Sequence, residues 1–371
     1  MNEQSVRYWV GFNLVRGIGP TRLRALLDYF GDVERAWGAS AAELRSAGLD
    51  RRSLKSLLAT RSTLDLDREV ERIAEAGAQV FTWESVGYPR LLLEIAAPPP
   101  VIYVKGTITE QDAWAVAIVG TRRASDYGRE VSRRLAGALA RSGVTIVSGL
   151  ARGVDGEAHR AALKAGGRTI GVLGCGIDRV YPPEYRRLAE DVVAQGALVS
   201  DYPLGTKPEG RNFPPRNRII SGLSLGVLVV EAGTRSGALI TADYAAEQGR
   251  DVFAVPGSIF ARGSVGANAL IRDGAKVVIG PEDILEELNL TMAVEQMEVR
   301  QVLPADEAEA AMLGRLSSEP THVDDLGQQM ELPIAQVTST LALMELKGMV
   351  RQVGGMKYVV AREPGVEYVV D

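Results

Sequence analysis

Between residues 114 and 280 the chain repeats one pattern: a short, almost uninterrupted apolar and β-branched run, a glycine-bearing turn, then an amphipathic stretch. The runs are "WAVAIVG" (114–120), "GVTIVSG" (143–149), "RTIGVLG" (168–174), "GALVSDY" (196–202), "LGVLVVEA" (225–232), "DVFAVPG" (251–257) and "AKVVIG" (275–280). Stretches such as "GREVSRRLAGALARSG", "GEAHRAALKAGG", "PEYRRLAEDVVAQG" and "GALITADYAAEQG" lie between them and carry helical spacing. A strand with one wet face alternates in polarity, whereas these runs stay apolar and must be covered on both faces. The expected fold is therefore α/β: a Rossmann-like, doubly wound parallel sheet over residues 79–290. Residues 79–106 read as additional edge strands with a proline-rich bend.

The flanks differ. Residues 1–72 read as short helices: "YWVGFNLVRGIGPTRLRALLDYFG" (8–31) keeps helical spacing on both sides of Gly17-Ile18-Gly19-Pro20, and "LRSAGLDRRSLKSLLA" (44–59) repeats the theme. The Gly-x-Gly is either a tight interhelical turn or a place where backbone N–H groups meet an anion. Residues 291–310 are acidic and aperiodic, and read as a linker. Residues 311–371 have the outline of a winged helix, whose expected recognition helix at 334–348 offers only Lys347 as a cation. Such a helix suits protein contact or weak DNA contact better than sequence-specific readout of a duplex.

Composition narrows the chemistry. One cysteine and two histidines among 371 residues exclude a disulfide framework and argue against Cys- or His-based metal sites. No metal or cofactor is implied. "MNEQSVRYWV" lacks the pattern of a secretory leader, and no run of 18 apolar residues suggests a membrane span, so the expected location is the cytoplasm. A net charge of −5 requires any nucleic-acid site to be a local basic groove. No G-x-x-x-x-G-K-[ST] is present, and "GVLGCGIDR" lacks the third glycine of a dinucleotide fingerprint.

Ligands of open α/β sheets bind beyond the carboxyl ends of the strands. Those segments here are rich in arginine. Gly120-Thr121-Arg122 follows the first run and Gly233-Thr234-Arg235 the fifth; Arg152 lies in "GLARGVDG" (149–156). Lys207, Arg211, Phe213, Arg216, Asn217 and Arg218 lie in "PLGTKPEGRNFPPRNR" (203–218), and Arg123 and Arg262 also follow strands. Glycine permits close backbone approach, threonine donates a hydroxyl, and arginine offers a two-pronged donor for phosphate oxygens. Several such tips make a track for a polyanion, with Phe213 as a base-stacking ring. Asn217 alternatively caps a short helix. Asp155 and Glu231, at strand ends, either act as carboxylate catalysts or orient the arginines. His159 fits a core or interface position, and Cys175 a small residue in a Gly-rich turn.

In this order, "AIVGTRRASDYG" (117–128), "VSGLARGVDGEAHRAAL" (147–163), "GVLGCGIDRVYPPE" (171–184), "FPPRNRIISGLS" (213–224), "LVVEAGTRSGALITADYAAEQGRDVFAVPG" (228–257) and "GANALIRDGA" (266–275) closely resemble the DprA/Smf family. The resemblance implies an extended Rossmann domain, a helix-hairpin-helix or SAM-like N-terminal domain and a C-terminal winged helix. It implies a non-enzymatic mediator of natural transformation that binds single-stranded DNA, dimerises through the Rossmann-like domain, and loads RecA while overcoming single-strand-binding protein. The 120–122 tip and the stretch from Phe213 to Arg218 match the family's DNA-contact motifs, with Thr121 where serine is frequent. Segment 266–275 lies in the region the family uses to dimerise. The competing class is a nucleotide-binding protein or a nucleoside-monophosphate phosphoribohydrolase-like enzyme, from which Ala232-Gly233 and Ala238-Leu239-Ile240 depart.

Overall fold

The computed structural model describes residues 5–290, 307–316, 320–330, 332–346 and 349–360. The chain divides into two compact units, 1–288 and 289–371.

In the first unit, six helices come first: α1 (Val6–Leu14), α2 (Pro20–Phe30), α3 (Val33–Gly38), α4 (Ala41–Ser46), α5 (Arg51–Thr63) and α6 (Leu66–Glu75). Polar residues start four of them. Asp32, Ser40, Asp50 and Asp65 each accept a bond from a backbone N–H of the first turn, and Ser40 with Glu43 forms a reciprocal capping box. The Gly17–Gly19 segment is a turn closed by its own helices. Gly17, at φ +97°, offers its carbonyl to Arg22 Nη1 at 2.6 Å, and Arg22 pairs with Asp50 at 2.8 Å.

Strands β1 (Gln79–Thr82) and β2 (Val101–Gly106) follow, with the short helix α7 (Arg90–Leu93) between them. Then strands and helices alternate: β3 (Ala115–Val119), α8 (Asp126–Arg141), β4 (Thr145–Ser148), α9 (Val154–Lys164), β5 (Thr169–Val172), α10 (Arg186–Gln195), β6 (Ala197–Ser200), α11 (Phe213–Gly222), β7 (Gly226–Val229), α12 (Gly237–Glu247), β8 (Asp251–Ala254), α13 (Val265–Arg272), β9 (Lys276–Val277) and α14 (Glu282–Glu287). All seven apolar runs form strands. The nine-stranded sheet has the order β1-β2-β6-β5-β4-β3-β7-β8-β9. From β6 to β9 the pairing is parallel; β2 joins β6, and β1 joins β2, antiparallel. Strands β3 to β7 are buried throughout, as continuous apolar runs require.

The N-terminal helices share a core with the sheet. Trp9, Phe12 and Leu57 belong to one buried cluster with Tyr103 of β2, Leu198 of β6 and Leu188 and Val192 of α10. Asn13 bridges the same contact: its side-chain carbonyl accepts from the Tyr103 hydroxyl at 2.9 Å, and its amide donates to the Asp201 carbonyl at 3.3 Å. A second cluster, with Ile219 and Ile220 of α11 and Ala242 and Ala245 of α12, covers other strand residues including Val119 and Val229.

The second unit contains α15 (Glu307–Leu313), β10 (Thr321–His322), α16 (Val323–Met330), α17 (Ile334–Leu346), β11 (Val350–Gln352) and β12 (Lys357–Val360). Its sheet order is β10-β12-β11, and the turn joining the last two strands uses Gly354 and Gly355 at φ +100° and +58°. Met312, Leu326, Leu341 and Met344 form its core. Residues 307–310 of the expected linker are helical; 291–306, and Lys347, lie outside the described residues. Among the described residues no helix is long and apolar enough to cross a membrane.

Candidate nucleic-acid interface

Strand order reverses at β3, which pairs with β4 on one side and β7 on the other. The crevice above such a reversal is where doubly wound sheets hold ligands. Both Gly-Thr-Arg tips emerge there. The Thr121 N–H donates to the Glu231 carbonyl at 2.7 Å, which ties the β3 tip to the end of β7. The buried Glu231 carboxylate accepts from the Ser125 N–H at 2.9 Å and its hydroxyl at 3.1 Å, and Ser125 caps α8. Glu231 therefore orients no arginine, contrary to one of the two sequence readings; it fixes the start of α8. Gly153, at φ +78°, runs so close beneath the first tip that a Cβ there would collide with the Thr121 carbonyl.

The crevice is a cleft of about 660 Å³. Exposed Arg122 and Arg123 after β3, Arg235 after β7 and Arg262 after β8 line it, and none of the four is ion-paired among the described residues. Gly233 and Thr234 lead into α12, whose N-cap Ser236 accepts from the Ala238 N–H at 3.3 Å. An eleven-residue helix ending at the cleft adds partial positive charge to that of the arginines.

Residues 213–222 border the cleft as a helix. Phe213 opens α11, and Pro214 and Pro215 occupy its first turn, where no intrahelical partner for their nitrogens is needed. The segment is a ten-residue helix rather than a loop with a short helical start. Asn217 is therefore interior to α11 and not its cap; its amide donates to the Gly237 carbonyl at 3.2 Å and so fastens α11 to α12. The Arg122 guanidinium lies 5.0 Å from the centroid of the Phe213 ring, a cation–π contact.

Nine of the thirteen residues selected from sequence line this one cleft: Gly120, Thr121, Arg122, Phe213, Arg216, Asn217, Gly233, Thr234 and Arg235. Their environments differ. Arg216, expected to grip phosphate, is only 4% exposed. It donates to the carbonyls of Gly149 (2.9 Å) and Val172, beside buried Asp155, which accepts from the N–H groups of Gly149 (3.1 Å) and Ala151 (3.3 Å). Burial pushes Arg216 down to about 10, which leaves it charged at neutral pH. Burial pushes the Asp155 carboxyl up, and Arg216 pulls it back. Arg216 is thus the floor of the cleft, held by its own fold. Arg218 is likewise internal: it pairs with Asp201 at 2.8 Å and donates to the Ala97 carbonyl at 2.6 Å. Arg152 is bound to Glu184 at 2.5 Å and Arg211 to Glu209 at 2.7 Å, while Lys207 is exposed; these three and Arg218 do not line the cleft. Arg123 and Arg262, outside those thirteen, do line it; their positions directly after strands are the signal that could have selected them.

The other polar candidates are occupied. Cys175 is buried, its thiol donates to the Arg179 carbonyl at 3.4 Å, and burial pushes it up to about 11, so it stays protonated. His159 is fully buried. Its Nδ1 lies 2.7 Å from the Thr169 hydroxyl, which itself donates to the Ile146 carbonyl at 2.7 Å. Nδ1 therefore carries the proton of a neutral ring. Burial pushes this histidine down to about 3, from an ordinary value near 6.5. Between those values the unfolded chain binds a proton that the folded chain refuses, so the stabilisation present above pH 6.5 is lost as pH falls toward 3. Between pH 7 and pH 5 this group is expected to remove about 2 kcal/mol of stability. Denaturant titrations at both pH values should show that loss reduced in His159→Asn. Among the described residues no group of His, Cys, Asp and Glu is arranged to hold a metal.

Comparison with known proteins agrees with this geometry. Residues 79–289 match the family model for DNA recombination-mediator protein A, and residues 298–356 match that for the DprA winged helix domain. Protein Smf of Synechocystis sp. is 37% identical, covering 96% of this chain and 99% of that protein. The structure of DNA processing protein A (DprA) from Streptococcus pneumoniae superposes with a TM-score of 0.67 at 34% identity, covering 76% of this chain and 97% of that one. DNA processing protein A from Helicobacter pylori, whose single-stranded DNA binding mode has been described structurally, superposes with a TM-score of 0.52 at 29% identity, covering 58% of this chain and 97% of that one. The chain, matched over more than half its length by the family model and along nearly all of it by a relative, belongs to the DNA recombination-mediator protein A (DprA/Smf) family.

Proposed function

We propose that the protein binds single-stranded DNA along the switch-point cleft, protects the incoming strand and passes it to RecA during natural transformation, in competition with single-strand-binding protein. The observation that carries this reading is the convergence of four exposed, unpaired guanidinium groups from three strand ends on one cleft, beside the start of α12. Phosphate contacts of this kind are independent of base identity and depend on salt. Titration of the intact protein with oligothymidylates of increasing length should show affinity rising with length. Four phosphate contacts correspond to a slope of log K against log salt of roughly −3 on single strands. Saturation by a mononucleotide, with no gain from longer oligomers, would instead indicate a small-nucleotide sensor.

An enzymatic reading lacks a free acid or base. Among the described residues, the buried carboxylates beside the cleft are Asp155 and Glu231. The first is bound to two backbone N–H groups and the second to Ser125. No release of free base from AMP is expected at high protein concentration.

Dimerisation is assigned to the β9 edge of the sheet. Among the described residues β9 pairs with β8 alone, and exposed apolar side chains follow both strands: Ile279 after β9 at 81%, and Ile259 and Phe260 after β8 at 80% and 91%. An open edge with exposed apolar side chains suits pairing with a second copy. The expected outcome is a dimer in sedimentation equilibrium that Ile279→Asp converts to a monomer with an unchanged circular dichroism spectrum and a thermal midpoint that no longer depends on protein concentration. A dimer unaffected by that substitution would place the interface elsewhere.

A further inference from the structure

We propose that Tyr181 is a second base-stacking platform beside Phe213, so that the bound strand continues out of the switch-point cleft over the carboxyl end of β5. The inference deepens the single-stranded DNA reading above and rests on it. Phe213 is half-buried. Its ring lies so close to Gly174 that a Cβ built there would sit 2.8 Å from it, and the Arg122 guanidinium stands 5.0 Å from its centroid. The neighbouring ring is open: Tyr181 is 37% exposed, 5.8 Å from Phe213 between centroids and tilted by 38°. Tyr181 belongs to the segment after β5 and Phe213 to the helix after β6; the rings meet because β5 and β6 are adjacent. Arg262 after β8, Arg235 after β7, Arg122 after β3 and then the two rings follow the order of the strands along one edge of the sheet. Cations at one end of this line hold phosphates, and aromatic faces at the other accept bases of any identity.

The adjoining residues support a strand path rather than a packing role. Arg179, two residues before Tyr181, is exposed, and Arg152, which pairs with Glu184, lies on the same edge after β4. Tyr181 itself contributes no side chain to either large buried cluster of the sheet. Both of these arginines are ion-paired, Arg179 with Asp178 and Arg152 with Glu184, so the part-exposed ring itself is what a sequence-tolerant single-strand site offers here.

The test uses the full chain and oligothymidylates of graded length. Tyr181→Ala should lower affinity for long oligomers by about 5- to 150-fold, the range for one stacked base, while oligomers short enough to occupy only the cleft bind unchanged. Tyr181→Phe should bind like the parent. Equal binding by Tyr181→Ala and the parent at every length would overturn the inference and leave the single-strand reading intact. Equal loss in the Ala and Phe variants would overturn it too, by showing that the hydroxyl and not the ring matters. A second arm needs no variant: 2-aminopurine placed in turn at each position of the oligomer reports stacking by quenching. Two quenched positions at the aromatic end are expected, and a single one contradicts the proposal. If the parent binds no oligomer at all, the failure lies with the functional reading itself.

Discussion

Replacing Arg122 and Arg235 together with alanine is expected to weaken single-stranded DNA binding about a hundredfold, uniformly across base sequences. Each guanidinium bound to a phosphate contributes about 1.5 kcal/mol or more, and about 1.4 kcal/mol is tenfold in affinity. The salt slope should become shallower by about 1.4, or 0.7 for each lost contact. Arg122→Lys separates two roles of that residue. It keeps the charge and most of the salt slope, but it loses the planar group that lies over Phe213. Fluorescence anisotropy at several salt concentrations measures all of these. Circular dichroism should report an unchanged fold, since neither arginine is ion-paired among the described residues.

Arg216→Leu should have the largest effect on stability, with a different signature. Arg216 and Asp155 are both buried, so removing the cation takes away the charge that favours the Asp155 carboxylate and leaves the carbonyls of Gly149 and Val172 without a donor. Each buried carbonyl left without a donor costs about 1–3 kcal/mol, and the uncompensated carboxyl adds to that. Denaturant unfolding should show that loss in the single variant. Arg216→Leu combined with Asp155→Asn should recover part of it, because the stranded charge is gone. DNA binding by Arg216→Leu should fall only as far as the unfolded fraction and any sagging of the cleft floor require. A stable Arg216→Leu protein that has lost binding would instead make Arg216 a direct phosphate ligand.

The contrast between these two arginines shows where the sequence is legible. Five of the seven strands, β3 to β7, could be read because a strand covered on both faces is a nearly continuous apolar run, and "AIVG" or "VLVV" admits few other structures. The Gly-Thr-Arg tips could be read because a sheet reversal places ligands beyond strand ends. Whether a strand-end arginine faces solvent or the interior could not. Arg216 lies beside Asp155 across 61 positions of chain, from the segments after β6 and β4, and Arg218 pairs with Asp201 across 17, within the one segment that follows β6; neither partnership is marked in the local pattern. Asn217 read as a possible helix cap, yet Pro214 and Pro215 suit the first turn of a helix, which starts α11 at Phe213 and puts Asn217 in its interior. The shared core of Trp9, Phe12 and Tyr103 likewise joins residues whose local patterns give no hint of each other.

The most direct test of the account is hydrogen exchange of the intact protein, free and saturated with a twenty-residue oligothymidylate. Slowed exchange at the backbone amides of 120–123 and 233–236 together, with no change at the opposite end of the sheet around Trp114 and Leu225, is the predicted result. Protection confined to α1–α6 or to the second unit, with both tips exchanging as in the free protein, would contradict it.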